Sequence, residues 1–157
     1  TEGWRPTADL APTPILPLIA TLAIIASGFF ARKGWKIAQH TDPKLDNDSK
    51  PAFQATWLIA IVLGLVFFGI MMQQIFALPF GDEPEFRFGM IYRLMIGYHG
   101  FHAFVTIIMM WQVYRFGADH RYNSDNYWAL EGSTKLWYFV IVAWLMFYAV
   151  LYLPFLL

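Results

Sequence analysis

Four stretches of this sequence stay apolar for the ~20 residues a helix needs to cross a bilayer, and they leave room for few other folds. The first runs from about Pro14 to Ala31 (PILPLIATLAIIASGFFA) and the second from about Phe53 to Phe76. The third runs from about Phe88 to Tyr114, and the fourth from about Leu136 to Leu157, with a helix start as early as Tyr127 open to it. Inside hydrocarbon every backbone N–H and C=O must find an internal partner, which only helices and closed barrels achieve. No run alternates with period two, so barrel strands are not expected. The sequence therefore predicts an all-α, polytopic transmembrane bundle of four helices, forming a single membrane domain over residues 1–157.

Composition supports that reading. Charged residues make up 14 % of the chain, against about 25 % in a soluble domain, and they avoid the four runs. Aromatics reach 19 %, with seven Trp and eight Tyr, the amphipathic rings that favour membrane–water interfaces. The first run is read as a membrane span rather than a cleavable leader, because no small-residue cleavage site follows it. Formal net charge is zero, and no basic block is present to neutralise phosphates, so nucleic acid is not an expected partner. The absence of Cys removes disulfides, thiolate metal sites and covalent haem attachment.

Polar connections join the runs: a proline-punctuated lead-in over 1–13, a long loop over 32–51, an acidic turn FGDEPE over 80–85 and a polar loop over 116–126. Lys and Arg concentrate on one side of the bundle. Arg32, Lys33, Lys36, Lys44, Lys50, Arg115, Arg121 and Lys135 make eight, against three for Arg5, Arg87 and Arg93. The positive-inside bias then predicts loops 32–51 and 116–126 facing the cytoplasm, with both termini and the acidic turn outside. Ala20, Ala23, Ser27, Gly28, Gly64, Gly69, Gly97 and Gly100 are small residues that permit close helix packing; Gly97 and Gly100, about one turn apart, are candidate packing positions on the third helix.

His99 and His102 lie mid-run at spacing i, i+3, where they share part of a helix face. An ionisable group at membrane depth is a functional candidate by default, and three readings fit. Bound metal is one, although a bis-His haem would need a ligand from a second chain and copper would find no third ligand at that depth other than Met. A proton relay is another, for which Glu131 is the nearest carboxylate in the fourth helix region. Imidazoles hydrogen-bonded between helices are the third. Arg93, about two turns into the third helix, can snorkel outward, meet a lipid phosphate, or pair with Asp82, Glu83 or Glu85 of the acidic turn. Glu131 and Lys135 stand i, i+4 in the favourable order for a helix ion pair. No nucleophile–base set, phosphate-binding loop or zinc motif is present, so no catalytic residue is assigned. A small transporter would need a polar path that the central helices lack.

These residues also carry a resemblance. GYHGFHAF (Gly97 to Phe104) is similar to the G-F-H-G-x-H-V segment of cytochrome oxidase subunit III. Glu131 followed by LWYFVIVAW (Leu136 to Trp144) resembles that family's Glu followed by W-H-F-V-D-V-V-W. Leu63-Gly64, Phe67 and Pro79-Phe80 resemble its L-G-x-x-F and A-P-F. Pro17, Leu18, Thr21 and Ala26-Ser27-Gly28 resemble its P-L-L-N-T and following Ser-rich helix. The likeness runs from about Pro17 to Tyr152 and matches the family's last four helices; its earlier helices, one with a membrane-buried Glu, have no counterpart in this sequence. Tyr138, Ile141, Met71, Gln74 and Asn126-Tyr127 stand where the family carries more polar groups.

The resemblance implies a non-catalytic core subunit of a proton-pumping haem-copper oxidase of the bacterial plasma membrane or an equivalent membrane. It implies packing against subunit I, with subunit II, other small subunits and phospholipids as further partners. Haems and copper would lie in the partner subunits, with no cofactor in this chain. By the same analogy His99, His102 and Glu131 form an interhelical polar cluster, and Trp137 and Trp144 are packing anchors. The alternative, from the His pair itself, is a b-haem or copper-binding membrane subunit using His99 and His102.

Overall fold

A computed structural model describes residues 14–42, 49–77, 86–117 and 122–153. They form four helices: α1 (Ile15–Gln39), α2 (Ser49–Ala77), α3 (Phe86–Gly117) and α4 (Trp128–Leu151). All four are long and apolar enough to cross a membrane. The described residues hold no strand beyond an isolated bridge between Asn123 and Asn126.

The helices outrun the apolar stretches that announced them. α1 continues past Ala31 to Gln39, burying Ala31, Gly34 and Ala38 while Arg32 and Lys33 stay exposed. Lys36 sits in its last turn, where a cation complements the carbonyl end of the helix dipole. α2 begins at Ser49 with Pro51 in its first turn, the place where a missing N–H costs nothing. α4 begins at Trp128, beside the earlier Tyr127 start that the sequence leaves open rather than at Leu136, and Glu131, Ser133, Thr134 and Lys135 belong to its first turns. Hydropathy marks the hydrocarbon layer; a helix continues wherever its backbone bonds can still be made, including the wet interface.

The helices pack in a ring. α1–α2, α2–α3 and α3–α4 pack as chain neighbours, α1–α2 most extensively, and α4 closes back onto α1. Small residues set the approach. A Cβ on Gly34 would lie 2.9 Å from the Trp57 ring, and one on Gly64 would lie 3.1 Å from Trp137. Trp57, Trp137 and Trp144 are fully buried in the core between helices.

The connections at one end of the bundle also meet. Ser124 N–H donates to the Thr41 carbonyl at 3.0 Å, and Phe53 packs edge-on to Tyr122. Asn123 Oδ1 accepts from the N–H of Asp125 and of Asn126, the side-chain-capped turn that Asn favours.

Candidate functional site

The bundle's buried polar groups link helices to one another. Ser27 on α1 donates to the Ala60 carbonyl of α2 at 2.6 Å and accepts from Trp137 Nε1 of α4 at 2.9 Å, so one hydroxyl joins three helices. Trp144 Nε1 donates to Thr21 Oγ1 at 2.8 Å, while Thr21 donates to the Pro17 carbonyl. Trp57 Nε1 of α2 donates to the Met110 carbonyl of α3 at 2.8 Å. At the end of the bundle where α2 finishes and α3 begins, Tyr92 O–H donates to Gln74 Oε1 at 3.0 Å and lies 2.6 Å from Tyr152 O–H. A phenol has one proton to give, so Tyr152 donates to Tyr92 and the chain of bonds runs α4 to α3 to α2.

Trp137 and Trp144 therefore anchor α4 to α1 through both packing and indole N–H bonds. The sequence names Ser27 only as a small packing residue and Gln74 only as a departure from the family, and it singles out neither the Tyr92–Gln74–Tyr152 network nor the Ser27 junction. Their signal there is faint: a Gln and two Tyr in apolar runs, each with a polar atom that must be satisfied if buried.

The two histidines part company. His99 is buried, stacked on Trp144 with ring centroids 5.7 Å apart and boxed edge-on by Phe67 and Phe147 at 5.8 and 5.5 Å. Its Nε2 has no hydrogen-bond partner among the described residues. The ring works as an aromatic plate between α2 and α4. His102, three residues on, is rotated about 60° around the helix and lies at the bundle's edge. Its Nδ1 bonds the Tyr98 carbonyl of its own helix at 2.8 Å, and its ring tilts against Tyr98. Glu131 bonds Lys135 at 2.6 Å, also within its own helix.

The interhelical cluster of His99, His102 and Glu131 is thus not assembled. His99 touches Trp144, thirteen residues beyond Glu131 along α4, or about 20 Å at 1.5 Å per residue. Among the described residues no three His, Cys, Asp or Glu side chains come together in a way that could hold a metal ion, so the metal reading of His99 and His102 gains no third ligand from them. The glycine pair divides similarly. A Cβ on Gly100 would meet Met72 at 2.8 Å, whereas one on Gly97 would meet nothing within 4 Å. Three residues apart, the two glycines point about 60° apart around α3, enough to take Gly97 off the α2 contact. Arg93 is exposed on α3; Asp82, Glu83 and Glu85, one of the alternatives open to it, lie outside the described residues, as do Pro79-Phe80, Lys44 and Arg121.

A cleft of about 380 Å³ opens where the end of α3 meets the start of α4. Met109, Gln112 and Phe116 line one wall, and Trp128, Ala129 and Gly132 line the other.

The geometry defines a class: a polytopic membrane chain in which buried polar groups of the described residues clamp a helix ring. Residues 2–154 match the family described as Cytochrome c oxidase subunit III. The chain belongs to that family. Curated relatives named cytochrome c oxidase subunit 3 include those of Thermostichus vulcanus (26 % identical, covering 97 % of this chain and 72 % of the relative) and Synechocystis sp. (22 %, 96 % and 62 %). That of Papio hamadryas is 27 % identical over 95 % of this chain and 54 % of its own length.

Proposed function

We propose that this chain is the non-catalytic core subunit of a proton-pumping terminal oxidase in aerobic respiration. The observation that carries the proposal is the family match over nearly the whole chain. In this reading it packs against subunit I, with subunit II, further small subunits and phospholipids nearby. Subunit I holds the haems and copper, and this chain holds none. Its part is to keep subunit I stable in turnover and to support proton uptake, with bound lipid contributing. The membrane is the bacterial plasma membrane. Loops 32–51 and 116–126 face the cytoplasm and the termini lie outside, in line with the eight-to-three distribution of Lys and Arg.

The interhelical bonds suit a scaffold. Each is made between groups of this chain. The test is extraction in mild detergent, isolation through this chain, a reduced-minus-oxidised spectrum and mass spectrometry of what accompanies it. A large subunit with two haems is the expected companion. Isolation of the chain with no haem-bearing subunit would refute the proposal.

A further inference from the structure

Four buried side-chain polar atoms have no hydrogen-bond partner among the described residues: Trp35 Nε1, Gln39 Oε1, His99 Nε2 and Thr134 Oγ1. His99 sits in its aromatic box. The other three fall on one seam, between α1 and α4. A Cβ on Gly28 would meet Tyr138 and Ile141 of α4, so Gly28 marks the direction from α1 to α4. Trp35 and Gln39 follow Gly28 at i+7 and i+11, which turns each only about 20° from it around the helix. On α4, Thr134 precedes Tyr138 by four residues and Ile141 by seven, so it lies on the stripe that faces α1. It is fully buried.

The three also share a height. The helices are antiparallel, and the seam is held at two levels. Gly28 stands opposite Tyr138 and Ile141, and the Thr41 carbonyl accepts from Ser124 N–H at 3.0 Å. Counting inward from both levels places Thr134 opposite the turn of α1 that leads into Trp35. Side chains lean toward the N-terminus of their own helix. Trp35 and Gln39 therefore lean toward Thr134, and Thr134 leans toward them. Arg32, Lys33 and Lys36 are exposed on the same stretch of α1, which puts this end of the seam at the wet interface.

An indole N–H only donates, an amide oxygen only accepts, and a hydroxyl does either. Leaving such atoms unpaired inside a membrane bundle is costly. Lipid headgroups are too large to reach buried atoms between two packed helices. One small molecule both gives and takes hydrogen bonds and settles among about two to four buried polar partners, and that is water.

We infer that an ordered water molecule sits in the α1–α4 seam, accepting from Trp35 Nε1 and donating to Gln39 Oε1 and Thr134 Oγ1. It uses both of its protons and one lone pair. It adds a third tie between α1 and α4 beside those made by Ser27 and Thr21, whichever subunits surround the chain.

The test is an electron-microscopy map of the chain as extracted in mild detergent with its companions, at a resolution that shows ordered water. Density for one water within hydrogen-bonding distance of all three atoms is expected. A second measurement heats the same preparation and follows the amount of this chain that still elutes as a folded species. Thr134→Val keeps the shape and removes the hydroxyl. It should lower the thermal midpoint by about 2 °C or more, because the water loses a partner. Trp35→Phe removes the donor, and the two losses combined should fall short of their sum. Without the water, Thr134→Val merely deletes an orphaned hydroxyl. An unchanged or raised midpoint in that variant therefore overturns the inference. So does a map in which Trp35 and Gln39 bond each other, or a group from another segment, with no density between them and Thr134.

Discussion

Replacing Ser27 with alanine strips one oxygen from the place where α1, α2 and α4 meet. The hydroxyl donates to Ala60 O and accepts from Trp137 Nε1. Interhelical hydrogen bonds in membranes average about 0.6 kcal/mol, which covers the loss at Ala60. The indole is different, because Trp137 is fully buried and an orphaned buried donor costs about 1–3 kcal/mol. Ser27→Ala should therefore lose about 2–3 kcal/mol. Trp137→Phe removes the donor itself and leaves Ser27 bonded to Ala60, so in that background Ser27→Ala should lose only about 0.6 kcal/mol. A double-mutant cycle then shows a coupling of about 1.5–2.5 kcal/mol, well outside the ~0.3–0.5 kcal/mol scatter of independent sites. The assay is equilibrium unfolding in mixed micelles, with dodecyl sulfate titrated into a mild detergent and far-UV circular dichroism as the probe. Additive losses for the two substitutions would refute the three-helix junction.

Other substitutions test other parts of the ring. Gly100→Leu should destabilise the bundle by about 1–3 kcal/mol through overpacking against Met72, whereas Gly97→Leu should change stability by less than about 0.5 kcal/mol; the same micelle titration compares them. Tyr92→Phe removes the hydroxyl between Gln74 and Tyr152 and should lower stability by about 1–2 kcal/mol, read as an earlier unfolding midpoint. His99→Phe keeps a plate between Trp144, Phe67 and Phe147 and removes an unpartnered nitrogen, so the loss should stay within about 1 kcal/mol. A loss several times larger would show that the imidazole does more than pack. Glu131→Gln breaks a partly exposed ion pair with Lys135 and should move stability by no more than about 0.5 kcal/mol.

Sequence alone exposes the number and order of the helices, because ~20 apolar residues in a row have few other uses. It hides their ends. The stretch from Arg32 to Gln39 and the turn from Trp128 to Lys135 are helical but polar, and hydropathy has no means of marking them. Trp137 and Trp144 stand out through their resemblance to a family motif, yet what they bond to does not: Ser27 and Thr21 lie 110 and 123 residues away. The i, i+3 spacing of His99 and His102 suggests a common environment, but the 60° between them is enough to bury one and leave the other at the edge. Glu131 fails to join them because the fourth helix starts earlier than its apolar run, which leaves that carboxylate near the interface. Gln74, Tyr92 and Tyr152 form one network only after the chain has crossed the membrane and returned.

The two indoles of α4 also have a mechanical consequence. Trp137 and Trp144 sit two turns apart and meet Ser27 and Thr21, which are six residues apart on the antiparallel α1. A single bond would let α4 pivot, and a smooth apolar seam would let it slide. Two pins at separate depths forbid both: a shift of one turn along the axis, or a twist of one residue, breaks both bonds together. A push delivered at one membrane surface must then travel to the other by moving α1 and α4 as one piece. The bundle behaves as a strut between the two faces of the membrane, with stiffness along its axis set by a serine and a threonine.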